Sequence, residues 1–143
     1  MHKQIQTTII IHASSEIVWE ILADFEKYPE WNPVIISIRG RLQKGNKLVA
    51  QLQDGPKIRV LRPVIQEVIP LHTFSWISTL FMKGICDSYH YFTLEEIKSN
   101  QTRLIQGKNF SGILRKPIPR KTAETTRLHF IEMNAALKRR AER

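Results

Sequence analysis

From Val34 to Phe110 the apolar residues recur at every second position, and the stretches on either side carry them at steps of three and four. Period two over so long a run means successive β-strands, while the flanks mean helices. The expected strands are residues 34–39, 47–53, 57–67, 73–80, 85–95 and 102–110, separated by turn-forming runs such as Lys44-Gly45-Asn46, Asp54-Gly55-Pro56, Ile69-Pro70, Lys83-Gly84 and Ser99-Asn100. Short turns between consecutive strands give an antiparallel meander. Leu48, Ala50 and Leu52, then Phe74 and Trp76, Phe92 and Leu94, and Leu104 and Phe110 put the large apolar side chains on one face, and that face needs a cover.

The cover is at the C-terminal end, where Ala123, Thr126, Phe130, Met133, Leu137 and Ala141 trace one stripe of a helix running from about Pro119 to Arg143. At the other end, β-branched residues 3–11 predict a first strand, and Ala13-Ser14-Ser15-Glu16 supplies capping chemistry for a helix with Ile17, Val18, Ile21, Leu22 and Phe25 on one face. Tyr28-Pro29-Glu30-Trp31-Asn32-Pro33 then breaks that helix in a short connection. The expectation is an α+β chain with one curved sheet of about seven strands.

No repeat or Gly/Ser linker divides the sequence, so residues 1–143 are read as one domain. One cysteine, Cys86, cannot build a disulfide framework and reads as a small buried hydrophobe. With no apolar stretch after the N-terminal basic residue and none long enough to span a bilayer, the expected location is cytoplasmic, as a monomer or dimer. The net charge of +9 is concentrated late, with nine Lys/Arg against three Glu from Ile113 onward. Two readings of that zone stand: a solvated helix face, or a basic surface using Arg115, Lys116, Arg120, Lys121, Lys138, Arg139 and Arg140 on RNA or an anionic membrane. Aromatics interleaved with basic residues would favour nucleic acid. Trp19, Tyr28 and Trp31 instead stand beside Glu20, Glu26 and Glu30, and read as packing residues.

Several chemistries fail on spacing. Gly40 and Gly45 frame a phosphate-loop interval, but Asn46 stands where the lysine belongs and a strand follows; Gly107 and Gly112 repeat the interval without the lysine. His2, His12, His72, His90 and His129 form no helical pair, so no metal or cofactor is expected. Glu95 and Glu96 are adjacent on a strand and point to opposite faces.

The element order, with Ala13-Ser14-Ser15-Glu16-Ile17-Val18-Trp19, Tyr28-Pro29-Glu30-Trp31-Asn32-Pro33, Arg62-Pro63-Val64, Phe74-Ser75-Trp76, His90-Tyr91-Phe92-Thr93-Leu94, Phe110-Ser111-Gly112 and Met133-Asn134-Ala135-Ala136-Leu137-Lys138, resembles the START-like (SRPBCC) superfamily and its polyketide cyclase-like ligand-binding members. That resemblance implies a helix-grip fold, with the curved sheet around the long C-terminal helix and two short helices after the first strand. It implies a cavity for a small hydrophobic or amphipathic molecule, and the fold hosts enzymes as well as carriers.

If Phe92 and Leu94 point inward, so do His90, Ser88 and Cys86; if Phe110 does, so do Lys108 and Gln106, while Asp87 and Tyr89 face away. The expected lining is therefore Phe74, Trp76, His90, Phe92, Lys108, Phe110, Phe130 and Met133, around a pocket of roughly 300 Å³ or more. His90 reads as a hydrogen-bonded core histidine, a ligand-orienting group or a proton carrier. Lys108 stands where members of the superfamily often carry an acidic residue, two places before Phe-x-Gly. An inward ammonium suits an anionic ligand such as a fatty acid, or, with a lowered pKa, acts as a base or nucleophile; a strand-end lysine also snorkels to water. His90 and Lys108 are thus the candidate pair for a cyclase or dehydratase, and ligand binding without catalysis is the leading expectation.

Overall fold

The computed structural model describes residues 4–79, 87–111 and 120–143. Cys86, the Lys83-Gly84 turn, Arg115 and Lys116 lie outside the described residues. The elements run β1 (Gln4–Ile11), α1 (Ser15–Ala23), a 3₁₀ turn (Phe25–Lys27), α2 (Tyr28–Trp31), β2 (Ile35–Arg39), β3 (Val49–Asp54), β4 (Lys57–Leu61), β5 (Val64–Ile69), β6 (Thr73–Thr79), β7 (Asp87–Lys98), β8 (Gln101–Ser111) and α3 (Arg120–Ala141).

The described strands form two antiparallel sheets, ordered β1-β8-β7-β6-β5 and β2-β3-β4. The division falls inside the single strand expected over residues 57–67, which ends at Leu61 and restarts at Val64. Pro63 causes the break, because it has no N–H for a ladder and holds the preceding residue away from free rotation. Its carbonyl is put to use, accepting from Leu48 N–H at 2.8 Å, while Ile65 N–H donates to Asn46 O at 2.9 Å. These bonds and the Lys47–Val64 bridge carry the small sheet onto the edge of the large one. The two sheets and α3 form the curved α+β layer of the helix-grip architecture. Among the described residues no helix is long and apolar enough to cross a membrane.

Ser14 caps α1 by accepting Ile17 N–H at 3.3 Å. In the connection that follows, Tyr28 is fully buried and its hydroxyl donates to Leu22 O at 2.6 Å. Asn32 Oδ1 accepts two backbone N–H groups, those of Val34 at 2.9 Å and Ile35 at 2.8 Å, and so aims the chain into β2. Trp19, Tyr28 and Trp31 are packing residues: Trp19 meets Phe74 edge-on at 5.8 Å, and Tyr28 meets Trp31 at 5.0 Å.

The C-terminal basic zone is not simply a solvated face. Lys138 donates to Ile10 O at 2.9 Å and pairs with Glu142, whose carboxylate also accepts His12 N–H at 2.8 Å; Arg140 reaches Glu30 at 2.7 Å. Three of these four bonds run to β1, the residue after it, and α2, which fixes the helix over the sheet.

Asn32→Ala removes both acceptor bonds at the entrance to β2, leaving two buried N–H groups without that partner, and should cost about 1–3 kcal/mol in urea unfolding. A loss under a few tenths would mean that water replaces the side chain without penalty.

Candidate functional site

Strand register sets the inward-facing residues of β6, β7 and β8 in rungs. Ser78, Ser88 and Phe110 form one; Trp76, His90 and Lys108 the next; Phe74, Phe92 and Gln106 the third; Leu94 and Leu104 follow on β7 and β8. The first two rungs line a cavity of about 390 Å³. Ile35, Ala50, Leu52 and Leu61 of the small sheet make the opposite wall, and Phe130 and Met133 of α3 the third side. The volume is in the usual range for small-molecule sites, and an apolar wall with few polar groups is their usual form. Arg59, paired with Asp54 at 3.6 Å, and Lys121, Thr122, Thr125, Thr126 and His129 of α3 complete the lining.

Of the eight residues expected on the lining, Trp76, His90, Lys108, Phe110, Phe130 and Met133 are there. Phe74 and Phe92 are instead buried one rung below, because Trp19 of α1 and Phe25 of the 3₁₀ turn fill the space over them; Phe74 packs on Trp19, Phe25 and Phe92 at 5.8, 6.1 and 4.9 Å. They are the floor. Period two gives the face of a residue and says nothing of how far along the sheet the helix α1 reaches.

Beside the floor runs a chain of buried polar groups that joins three elements. Thr7 Oγ1 donates to the main-chain oxygen of Gln106 at 3.2 Å, Asn134 Nδ2 donates to Thr7 Oγ1 at 2.9 Å, and Gln106 Nε2 donates to Asn134 Oδ1 at 2.6 Å. His90 Nε2 lies 2.9 Å from Gln106 Oε1. A carbonyl oxygen only accepts, so the bond at Gln106 O forces the Thr7 hydroxyl to donate there, and every later amide orientation follows. At the end of the chain His90 Nε2 must donate. Burial and the Lys108 charge keep the imidazole neutral, and in a neutral ring that donates from Nε2 the lone pair is on Nδ1.

Burial, and then the Lys108 charge directly across the strand pair, push the His90 pKa down to about 3, against the opposing bond to Gln106. Phe92 stacks on the ring at 4.7 Å, with Phe130 at 4.9 Å and Trp76 at 5.1 Å. Lys108 is half-buried and extends over Phe110, 5.9 Å from the ring centre; it makes no ion pair or hydrogen bond among the described residues. Burial first, and the neighbouring Arg59 second, lower its pKa to about 8. Asn134 stands outside the stripe read from the sequence, although one polar residue between Phe130 and Leu137 on a buried face is itself a sign of a partner across the interface. Among the described residues no cluster of His, Cys, Asp or Glu could hold a metal ion.

Replacing Asn134 with Leu strands the Gln106 amide and the Thr7 hydroxyl in an apolar interior, which should destabilise by about 1–3 kcal/mol in chemical denaturation. Pairing it with Thr7→Val should cost less than the sum of the two single changes, because both break one chain. Additive losses would contradict a connected network.

The START superfamily protein from Mycobacterium smegmatis is similar in fold, with a TM-score of 0.78 and 19% identity over 97% of both chains. The Streptomyces aromatase/cyclase ZhuI is similar too, at 0.76 and 16% identity over 98% of this chain and 93% of its own. No curated protein matches the sequence. Residues 2–142 match a family described as polyketide cyclase/dehydrase and lipid transport, whose breadth fits the cavity, open to either a bound hydrophobic molecule or cyclase-type chemistry. With that match spanning nearly the whole chain, the protein belongs to the polyketide cyclase/dehydrase and lipid transport family.

Proposed function

We propose that residues 1–143 form one ligand-binding domain that holds a small amphipathic molecule between the two sheets and α3, its apolar part against Trp76, Leu52, Phe130 and Met133 and an anionic end at Lys108. The observation that carries this reading is the Lys108 ammonium, unpaired among the described residues inside a largely apolar cavity. A half-buried cation against an apolar wall loses part of its hydration with no counter-ion to replace it, and an anionic ligand supplies one. Arg59 adds positive charge on the facing wall, with Asp54 already committed to it.

Catalysis of the cyclase or dehydratase type is the competing reading. It needs a group that exchanges protons with the ligand near neutral pH. His90 holds its one proton in the bond to Gln106 and stays neutral far below that range, which favours binding; Lys108 is the group on which an enzymatic reading would depend. As for RNA or anionic membranes, Arg120, Lys138 and Arg140 already pair with Glu124, Glu142 and Glu30, so the basic zone offers less free charge than its sequence implies. We take the domain to act in the cytoplasm without a cofactor.

Displacement of a fluorescent apolar probe by decanoate and by decanol tests the reading. Decanoate should bind more tightly at pH 6.5, and its advantage should fade as pH rises through about 8, where Lys108 loses its proton; the bound anion moves that midpoint upward. His90, Arg59, Asp54, Lys121 and His129 line the same cavity, so the step must vanish in Lys108→Met to be assigned to Lys108. Equal binding of both probes at every pH would overturn the anionic end, and release of a chemically altered ligand from the wild type would favour the enzyme. Trp76→Ala should weaken both probes, and Trp31→Ala, outside the cavity, should weaken neither.

Stability gives an independent check with a definite sign. The Lys108 pKa is lowered from 10.5 to about 8 in the folded protein, so between these values the unfolded chain holds a proton that the folded one lacks. The resulting destabilisation is absent above pH 10.5, grows as pH falls to about 8, and is fully present at neutral pH. Lys108→Met should therefore raise the melting temperature at pH 7 while weakening decanoate binding, the opposite of what a structural lysine would give.

A further inference from the structure

We infer that the cavity selects ligands with a hydroxyl group close to the anionic end, hydroxy acids in preference to simple fatty acids, the hydroxyl donating to His90 Nδ1 while Lys108 holds the anion. This deepens the binding reading above and rests on it.

The argument starts at Gln106 O. Because that oxygen can only accept, the polar chain through Thr7, Asn134 and the Gln106 side chain has one direction, and His90 Nε2 must donate at its end. Nδ1 is left with a lone pair and no proton. It makes no hydrogen bond among the described residues, and His90 lines the cavity, so Nδ1 is the ring nitrogen left to meet a ligand. Phe92, Phe130 and Trp76 grip the ring on its faces and edge. The wall thus presents one fixed acceptor set in aromatic carbon.

A fixed acceptor calls for a donor. A carboxylate has no proton to give, so a simple fatty acid leaves Nδ1 unpaired. An ammonium donor is disfavoured by the positive charges of Lys108 and Arg59, which leaves a neutral hydroxyl as the suitable group. His90 and Lys108 are directly opposite on β7 and β8, which brings their Cβ atoms to roughly 5 Å. The hydroxyl and the anion must therefore be near neighbours on the ligand. A hydroxyl at the far end of a ten-carbon chain is out of reach of Nδ1 while the carboxylate is held at Lys108, directly across from His90.

The test compares decanoate, 3-hydroxydecanoate, 3-methoxydecanoate and 10-hydroxydecanoate as displacers of the fluorescent probe. The 3-hydroxy acid should bind about 3- to 10-fold more tightly than decanoate, the worth of one hydrogen bond, and neither the methoxy acid nor the 10-hydroxy acid should gain. His90→Phe should bind decanoate and 3-hydroxydecanoate equally, whatever its affinity for either. Should that variant not fold, nitrogen NMR of histidine-labelled wild type reads the same contact: the unprotonated Nδ1 resonance should shift with the 3-hydroxy acid and stay in place with the methoxy acid. Decanoate binding with no gain from the 3-hydroxyl, or a gain that the methoxy acid shares, overturns the inference alone. Failure of every acid to displace the probe overturns the binding reading and the inference with it.

Discussion

The bond from the Thr7 hydroxyl to the main-chain oxygen of Gln106 decides more of this molecule than its 3.2 Å would indicate. A main-chain carbonyl has no second role to play, so the bond sets the direction of a chain that crosses from β1 to α3 and back to β8. Reversal would require a buried amide to face a donor with a donor, which an interior of low dielectric does not tolerate. The same chain does two jobs. It docks α3 at one azimuth, since only Asn134 reaches both Thr7 and Gln106, and it fixes the tautomer of a histidine that lines the cavity.

Around that chain the protein is built in two halves with different packing. Below the Trp76–His90–Lys108 rung, α1 and the 3₁₀ turn fill the sheet with Trp19, Phe25, Phe74 and Phe92, a close-packed aromatic core. Above it no element of the described chain fills the same space, and the cavity stands in its place. An open half forgoes the contacts that a filled core would provide, and Lys108 adds the cost of a half-buried charge. The helix that bridges both halves is held instead from its C-terminal end, by Lys138 on Ile10 O and Arg140 on Glu30. A helix so anchored keeps its place without needing the cavity to be packed.

Much of this was legible in the sequence, for reasons that can be named. The change of period at Val34 and again after Phe110 gives the element order, and alternation gives the inward set that includes Trp76, His90 and Lys108, since both depend only on local geometry. Pro63 was readable as a strand breaker, and the expected strand over residues 57–67 ran through it all the same, because β-branched residues stand on both sides, Ile58 and Val60 before it and Val64 and Ile65 after it. The depth of a residue is another matter. Phe74 and Trp76 share one face and one pattern, yet only the reach of α1 over the sheet makes the first a floor and the second a wall. Asn134 was legible as a polar residue beside an apolar stripe, but no local pattern names its partners Thr7 and Gln106, 127 and 28 residues away along the chain. His90 answers to the first of its expected descriptions, a core histidine hydrogen-bonded to Gln106.

The setting of that side chain bears on what a fold of this kind can be made to do. Relatives with less than a fifth of their residues in common share the sheet and the helix, so the scaffold itself is indifferent to chemistry. What distinguishes one member from another is the small set of polar groups that the rungs turn inward. In this chain the set consists of a neutral acceptor held from behind and a cation directly across from it. In the binding reading proposed above, such a pair would select both the sign of a ligand and the donor it carries. An acidic residue at position 108 would reverse the first of these, and would also draw a proton onto His90, since a carboxylate across the strand pair favours the charged imidazole where the ammonium now opposes it. With that one change the same two positions would form an acid–base pair. The charge at position 108 therefore sets both the electrostatic sign of the cavity and the protonation state of His90.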